Sequence, residues 1–301
     1  MKIDRVIISS DLNPKFLNFW PLASRSWIEV FNIRPTLVTV SRNKVDLALR
    51  KKLESWGDVF PIKSESNAPM ANQAKLARWY YASKCLNESV MLEDIDTVFF
   101  SDRYLSEKLT FLRMDEMLGI GNEVNKGDPS YLGKFPVSNI VGKGNLFAAM
   151  FATDEKVEFT DFIESFKGIN VFDDKEDPFQ SPHNFSDESL VRALREKNHF
   201  SNINVIQRDV DIRNEWMDRS WWPNRPSDVS KYILANLPRP LYENRRKAKP
   251  VIEYFFPDQK YPWIIRKRSS FWNEDGRLQM IIARVLHSII GRFRKYLGFR
   301  S

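Results

Sequence analysis

The first hundred residues alternate short apolar runs with stretches of helical periodicity, and this alternation narrows the fold more than any other feature of the chain. Arg5 to Ser9, Thr36 to Val40, Val59 to Ile62 and Val90 to Leu92 read as strands. Such near-continuous apolar runs suit strands covered on both faces. Between them, residues 16–31 carry Phe16, Phe19, Trp20, Trp27, Ile28 and Phe31 at roughly helical spacing, and residues 44–55 and 70–86 also read as helices. Pro21 is awkward inside the first of these and predicts a late start or a kink. Strands alternating with helices imply an α/β fold with a parallel sheet. Ligands of such sheets bind at the carboxyl ends of the strands. Ser9-Ser10-Asp11, Ser41-Arg42 and the pair Asp94 and Asp96 all fall at such ends, so the three clusters are expected to converge on one edge.

The last cluster carries the most chemistry. Residues 91–100 read Met-Leu-Glu-Asp-Ile-Asp-Thr-Val-Phe-Phe. Two carboxylates spaced i and i+2 on extended backbone point the same way. They would aim hard oxygen ligands at one divalent cation, and Mg²⁺ and Mn²⁺ favour such ligands and share their shell with substrate phosphates. The triplet Asp-x-Asp is short and recurs by chance. Its apolar flanks give it weight, because acidic pairs are uncommon inside a buried strand run. The plain alternative is a solvated turn at a strand end.

The chain has 301 residues, 43% apolar and 13% aromatic, enough for a substantial core. One cysteine, Cys85, excludes an internal disulfide framework and fits a reducing compartment. The sequence holds no Cys/His cluster of the kind that binds structural zinc. Met1 to Ser10 run straight into a strand and read as no targeting signal, and no apolar stretch is long enough to span a membrane, so a cytoplasmic location is expected. The net charge of +7 is unevenly placed. Residues 264–301 hold nine basic and two acidic side chains, a difference of seven, which leaves residues 1–263 formally neutral. This predicts a globular body, 1–263, and a basic extension, 264–301. Within residues 277–299, Leu278, Ile281, Ile282, Val285, Leu286, Ile289 and Ile290 fall at helical spacing, with Arg284, Arg292, Arg294 and Lys295 on the other side. A helix of this kind suits an anionic membrane surface, and equally a place packed on the body or on a second copy.

Beyond residue 100 the pattern loosens. Residues 119–145 read as loops, and Gly142-Lys143-Gly144 lacks the spacing of any nucleotide-binding fingerprint. Residues 185–197 read as a helix capped by Ser186. Asp187 and Glu188 then either complement the helix dipole or face the cleft as a catalytic base. Trp216, Trp221 and Trp222 offer faces for sugar rings or, more commonly, for a core.

Together these residues resemble glycosyltransferases of the GT-A fold, in particular the sugar transferases of chlorella viruses and their bacterial relatives. The resemblance is carried by Val6-Ile7-Ile8-Ser9-Ser10, by Pro21 and Trp27, and by Asn72-Gln73-Ala74-Lys75-Leu76-Ala77-Arg78. It continues through Glu93-Asp94-Ile95-Asp96, Phe135-Pro136, Ser186-Asp187-Glu188, Leu237-Pro238-Arg239-Pro240, Glu243-Asn244 and Val251 to Pro257. It implies a mixed, mainly parallel sheet with helices on both faces, followed here by the C-terminal amphipathic helix. It also implies a nucleotide-diphosphate sugar donor, UDP-linked above all, held with Mn²⁺ or Mg²⁺, and a glycan or lipid-linked acceptor. Ser9, Ser10 and Asp11 would contact the nucleoside. Arg78, with Lys75 behind it, would help hold the donor, Asp94 would face the ribose or a metal-bound water, and Asp96 would ligate the metal. Where relatives supply a histidine as a further ligand, this chain offers Asn236.

The chemistry needs a cation to neutralise the departing diphosphate and a carboxylate, Asp187 or Glu188, to take the acceptor's proton. A base acting opposite the leaving group would invert the anomeric centre. Two other readings compete. A sugar-phosphate nucleotidyltransferase would open with a Gly-rich loop, where this chain has Ser-Ser-Asp-Leu-Asn. A nucleic-acid-binding module would use the basic tail, but the neutral body opposes it.

Overall fold

The computed structural model describes residues 2–111, 113, 115–121, 137–151, 156–165, 203–207, 215–217, 228–258 and 260–265. The compact body runs to Ile264. Its strands are β1 (Arg5–Asp11), β2 (Thr36–Ser41), β3 (Asp58–Lys63), β4 (Ser89–Glu93), β5 (Thr97–Phe99), β6 (Met117–Gly121), β7 (Val137–Lys143), β8 (Ile203–Gln207), β9 (Trp216–Met217) and β10 (Leu234–Asn236). Its helices are α1 (Pro14–Leu17), α2 (Trp20–Phe31), α3 (Leu47–Glu54), α4 (Met70–Lys84), α5 (Arg103–Lys108), α6 (Gly144–Met150), α7 (Phe159–Glu164) and α8 (Arg245–Phe255).

Seven strands form one sheet in the order β3-β2-β1-β4-β7-β6-β8, and β5, β10 and β9 form a small second sheet. Among the described strands of the large sheet only β7 is reversed: it runs antiparallel to β4 and β6, while β6 and β8 pair in parallel. The α/β class and the mainly parallel sheet are therefore as the sequence led us to expect. The described helices end before residue 266, so the amphipathic helix expected at 277–299 lies outside the described residues. No described helix is long and apolar enough to cross a membrane.

The central strands are buried because both faces are covered. Ile7, Val38, Val40, Val90 and Leu92 pack with Leu76, Trp79 and Tyr80 of α4. The alternate positions Val6, Ile8, Leu37 and Met91 are buried too, on the opposite face. Right-handed crossovers explain this: the chain steps from β1 to β2 to β3 in one direction and from β3 to β4 in the other, so α4 lies across the sheet from α2 and α3. On its far side α4 meets α6 and α7.

The helix expected over 16–31 is two helices. Pro14 sits in the first turn of α1, and Asn13 caps it by accepting from the Lys15 N–H at 2.8 Å. Pro21 then sits in the first turn of α2. An unbroken helix would drive its ring against the Leu17 carbonyl, so the chain restarts at Trp20. Asn32, with φ of 54°, ends α2 in the left-handed conformation, and Ile33 N–H donates back to the Trp27 carbonyl at 3.2 Å. Helix α2 packs on β5, where Trp27 meets Phe31 and Phe99 with ring centroids 4.6 and 4.9 Å away.

Candidate functional site

The strand order reverses beside β1, with β2 and β3 to one side and β4 and its neighbours to the other. Connections leave toward opposite faces on the two sides of such a point and open a crevice between the carboxyl ends of the flanking strands, here β1 and β4. Ile8 lies level with Glu93, and Asp11 level with Val40. Ser9-Ser10-Asp11, Ser41 and the Asp94–Asp96 segment therefore emerge from one edge on three adjacent strands.

The acidic pair itself departs from the expected geometry. β4 ends at Glu93 and β5 begins at Thr97, and the residues between them form a turn closed by Thr97 N–H donating to the Asp94 carbonyl at 3.2 Å. Extended backbone would have aimed both carboxylates one way; the turn gives each its own arginine. Asp94, about a third exposed at its side chain, accepts from Arg78 Nη1 at 2.8 Å. The same Nη1 donates to the Glu93 carbonyl at 2.8 Å, so a nearly buried α4 guanidinium clamps the end of β4. The Asp96 side chain is fully buried and is bound through both oxygens by Arg239, with Nη2 donating to Oδ1 at 2.6 Å and Nε donating to Oδ2. This fork-on-carboxylate geometry is the strongest an arginine makes. Burial alone would lower the Arg239 pKa; Asp96 in contact, with Asp94 behind it, outweighs burial and raises it. The Arg239 guanidinium also lies over the Phe16 ring, 5.3 Å from its centroid, which ties the segment after β10 to α1 beside β1.

Asn236 is equally committed. Its Oδ1 accepts from Trp216 Nε1 at 2.7 Å, and its Nδ2 donates to Thr97 Oγ1 at 3.0 Å. A cation held by Asp94, Asp96 and Asn236 would have to strip Arg239 from Asp96 and turn the Asn236 amide out of a bonded pair. As they stand, these three residues do not fit a divalent cation. Among the described residues no group of three His, Cys, Asp or Glu side chains is placed to hold one.

Of the other residues expected here, Ser10 is buried and donates its hydroxyl to the Asp11 carbonyl at 2.7 Å. Ser9 is half-buried on β1, and Lys75 lies one turn before Arg78 on α4, also half-buried. Gly144 belongs to packing: its N–H donates to the Glu88 carbonyl at 2.9 Å at the start of α6. Asp187, Glu188, Trp221 and Trp222 lie outside the described residues. Sequence reasoning gave no role to Arg239 or to Glu93, whose fully buried carboxylate accepts from the Asp94 N–H at 2.8 Å. The signal for Arg239 was its place between Pro238 and Pro240, a stiff frame for a charged side chain.

Burial acts on the Asp11 carboxyl at this edge. Its Oδ1 accepts from Asn13 N–H at 3.2 Å, but burial outweighs that bond and nearby Lys15 and pushes the carboxyl up to about 6. The folded protein then binds the proton more tightly than the unfolded chain, so stability falls as pH rises from about 4 to 6 and stays lower above that. Asp11→Asn carries no such charge. It is expected to be more stable than the parent at pH 7.5 by on the order of 2 kcal/mol and equal to it near pH 4. Thermal melts of both proteins at the two pH values test this; equal melting differences at both would show that Asp11 is ionised at no cost.

No family model matches this chain, and no curated protein sequence matches it. Among solved structures it is similar to the galactosyltransferase LgtC in complex with donor and acceptor sugar analogs, at 10% identity and a TM-score of 0.49, over 89% of this chain and 98% of that one. It is similar to the glycosyltransferase GlyE of Streptococcus pneumoniae TIGR4, at 12% identity and a TM-score of 0.40, over 68% of this chain and 45% of that one. It is also similar to a 4-diphosphocytidyl-2C-methyl-D-erythritol synthase from Anaerococcus prevotii DSM 20548, at 14% identity and a TM-score of 0.41, over 70% of this chain and 90% of that one. Overlaps this loose leave the chemistry to be argued from the site.

Proposed function

We propose that this chain is a glycosyltransferase that moves a sugar from a nucleotide-diphosphate donor, UDP-linked above all, to a hydroxyl of a glycan or glycolipid. One observation carries the reading. At the end of β4, beside the point where the strand order reverses, two carboxylates are each gripped by an arginine, Asp94 by Arg78 and Asp96 by Arg239. Such a point is where an open α/β sheet takes its ligand, and paired guanidinium groups match phosphate oxygens in geometry and charge.

In the reaction the acceptor oxygen bonds to the anomeric carbon as the bond from that carbon to the diphosphate oxygen breaks. The electron pair leaves with the diphosphate, whose growing charge falls on Arg78 and Arg239. The hydroxyl proton passes to a carboxylate, for which Asp187 or Glu188 is the proposed base, and attack opposite the leaving group inverts the centre. The metal dependence expected from Asp-x-Asp is not part of this proposal, because the side chains that would hold Mn²⁺ or Mg²⁺ are already engaged. The basic residues of 277–299 fit a lipid-linked acceptor at an anionic surface, a contact that co-sedimentation with anionic vesicles reads directly.

The test is a thermal-shift screen of the full chain against UDP-, GDP-, CMP- and dTDP-sugars. One nucleotide family is expected to raise the melting temperature; a ligand at about a hundred times its Kd adds roughly 2.7 kcal/mol. Arg78→Gln should remove most of that shift. If none of the four families stabilises the protein, the transferase reading falls.

A further inference from the structure

We infer that Asp96 is not a ligand for a metal but the anchor of an anion-binding arginine, so that Arg239 takes the donor's diphosphate group with no divalent cation present. This rests on the transferase reading of the crevice and adds to it the means by which phosphate is held.

Exposure is divided unevenly within the pair. The Asp96 side chain is 0% exposed, whereas 29% of the Arg239 side chain remains open to solvent. Mg²⁺ keeps several waters of its own and binds at carboxylates that water can reach. A sealed carboxylate with both oxygens taken is poorly suited to that. It is well suited to fixing a partner: it orients the fork and leaves the charge on the side facing out.

The fork also has donors to spare. A guanidinium has five N–H groups in one plane. The edge formed by Nε and Nη2 is spent on Asp96. Three N–H groups remain, two on Nη1 and one on Nη2, and the end of the fork where Nη1 and Nη2 each present one matches a pair of phosphate oxygens. Phe16 covers one face of the group. An anion therefore meets the guanidinium edge-on, as in bidentate phosphate recognition.

The fork is also held rigidly. The Asp96 carbonyl accepts from Leu237 N–H at 2.7 Å, so the turn after β4 and the segment bearing Arg239 are joined by main chain as well as side chain. Asn236, one residue earlier, is fixed by Trp216 and Thr97. Arg239 is thus held from three directions, between α1 at the end of β1 and the turn at the end of β4. Arg78 comes from α4 to the same turn. Arg78 and Arg239 each offset one aspartate, Asp94 and Asp96. An arriving diphosphate finds guanidinium N–H groups already placed.

Isothermal titration of the full chain with inorganic pyrophosphate, in EDTA and again in MgCl₂, tests this. Binding in EDTA is expected within about threefold of binding in MgCl₂. Arg239→Gln should weaken it about tenfold or more, since bonds to charged groups are the strong ones, and Arg239→Lys should recover only part. In Arg239→Ala, added guanidinium chloride should restore pyrophosphate binding, which a merely structural arginine would not allow. Asp96→Asn keeps the size of the side chain and should weaken binding in EDTA with an unchanged circular-dichroism spectrum. Pyrophosphate that binds only with Mg²⁺, or that binds Arg239→Gln as it binds the parent, overturns the inference, as does no binding in EDTA at all. The nucleotide-sugar screen separates the two ideas. Pyrophosphate capture in EDTA with no response to any nucleotide sugar keeps the arginine site and removes the transferase. Nucleotide-sugar stabilisation strictly dependent on Mg²⁺ does the reverse.

Discussion

Asp96→Ala is expected to lower the stability of the body by about 3–5 kcal/mol, because it leaves the Arg239 guanidinium largely desolvated and without its counter-charge. In a domain of this size that corresponds to a melting temperature lower by roughly 10 °C. The Asp96 backbone carbonyl still holds Leu237, so the loss comes from the charge and not from an unravelled turn. The comparison that isolates the cause is Asp96→Leu combined with Arg239→Met. Replacing both partners of a buried pair by apolar groups is often neutral, so the double variant should regain most of what the single variant loses. Calorimetric melts of the three proteins decide it: a double variant as unstable as Asp96→Ala would mean that packing at position 96, not charge, sets the loss.

Gly144→Ala is expected to be worse still. A Cβ there would lie 1.9 Å from the Cys85 carbonyl oxygen and 2.3 Å from its carbon, with Leu86 N at 2.9 Å. All three are backbone atoms at the end of α4, and the segment is pinned by Gly144 N–H to the Glu88 carbonyl and Asn145 N–H to the Leu86 carbonyl at 2.9 and 3.0 Å. Neither side can yield without parting α6 from α4. A loss above about 4 kcal/mol follows, the range in which single changes unfold ordinary domains. Gly142→Ala is the control two residues away. Its Cβ would crowd the Met117 side chain at 2.9 Å, and methionine can move, so about 1 kcal/mol is expected. Soluble yield and melting temperature of the pair read this out; a soluble, well-folded Gly144→Ala protein would refute the close-packing account.

The elements up to β4 were legible because they obey local rules. β2 is buried at every position, and its sequence Thr-Leu-Val-Thr-Val-Ser says as much without a partner in view. Pro21 announced the restart of the helix at Trp20. The convergence of Asp11, Ser41 and Asp94 followed from strands all running one way. What stayed hidden depends on residues far apart in the chain. Arg239 is 143 positions from Asp96, and Asn236 is 139 from Thr97. No spacing rule reports such a pair. The orientation of the acidic pair was misread for a related reason: the strand stops at Glu93, and a turn spaced like a strand in sequence sends its side chains differently. The reversed β7 was also invisible, since residues 119–145 read as loops when only periodicity was weighed.

That reversed strand has an architectural consequence. Because β6 and β8 again run parallel to β4, they finish at Gly121 and Gln207 on the same rim as Glu93, and β7 starts there at Val137. The end of β6 and the start of β7 therefore share the rim that carries Arg78 and Arg239, and the hydrogen-bonded frame of the sheet lies behind it.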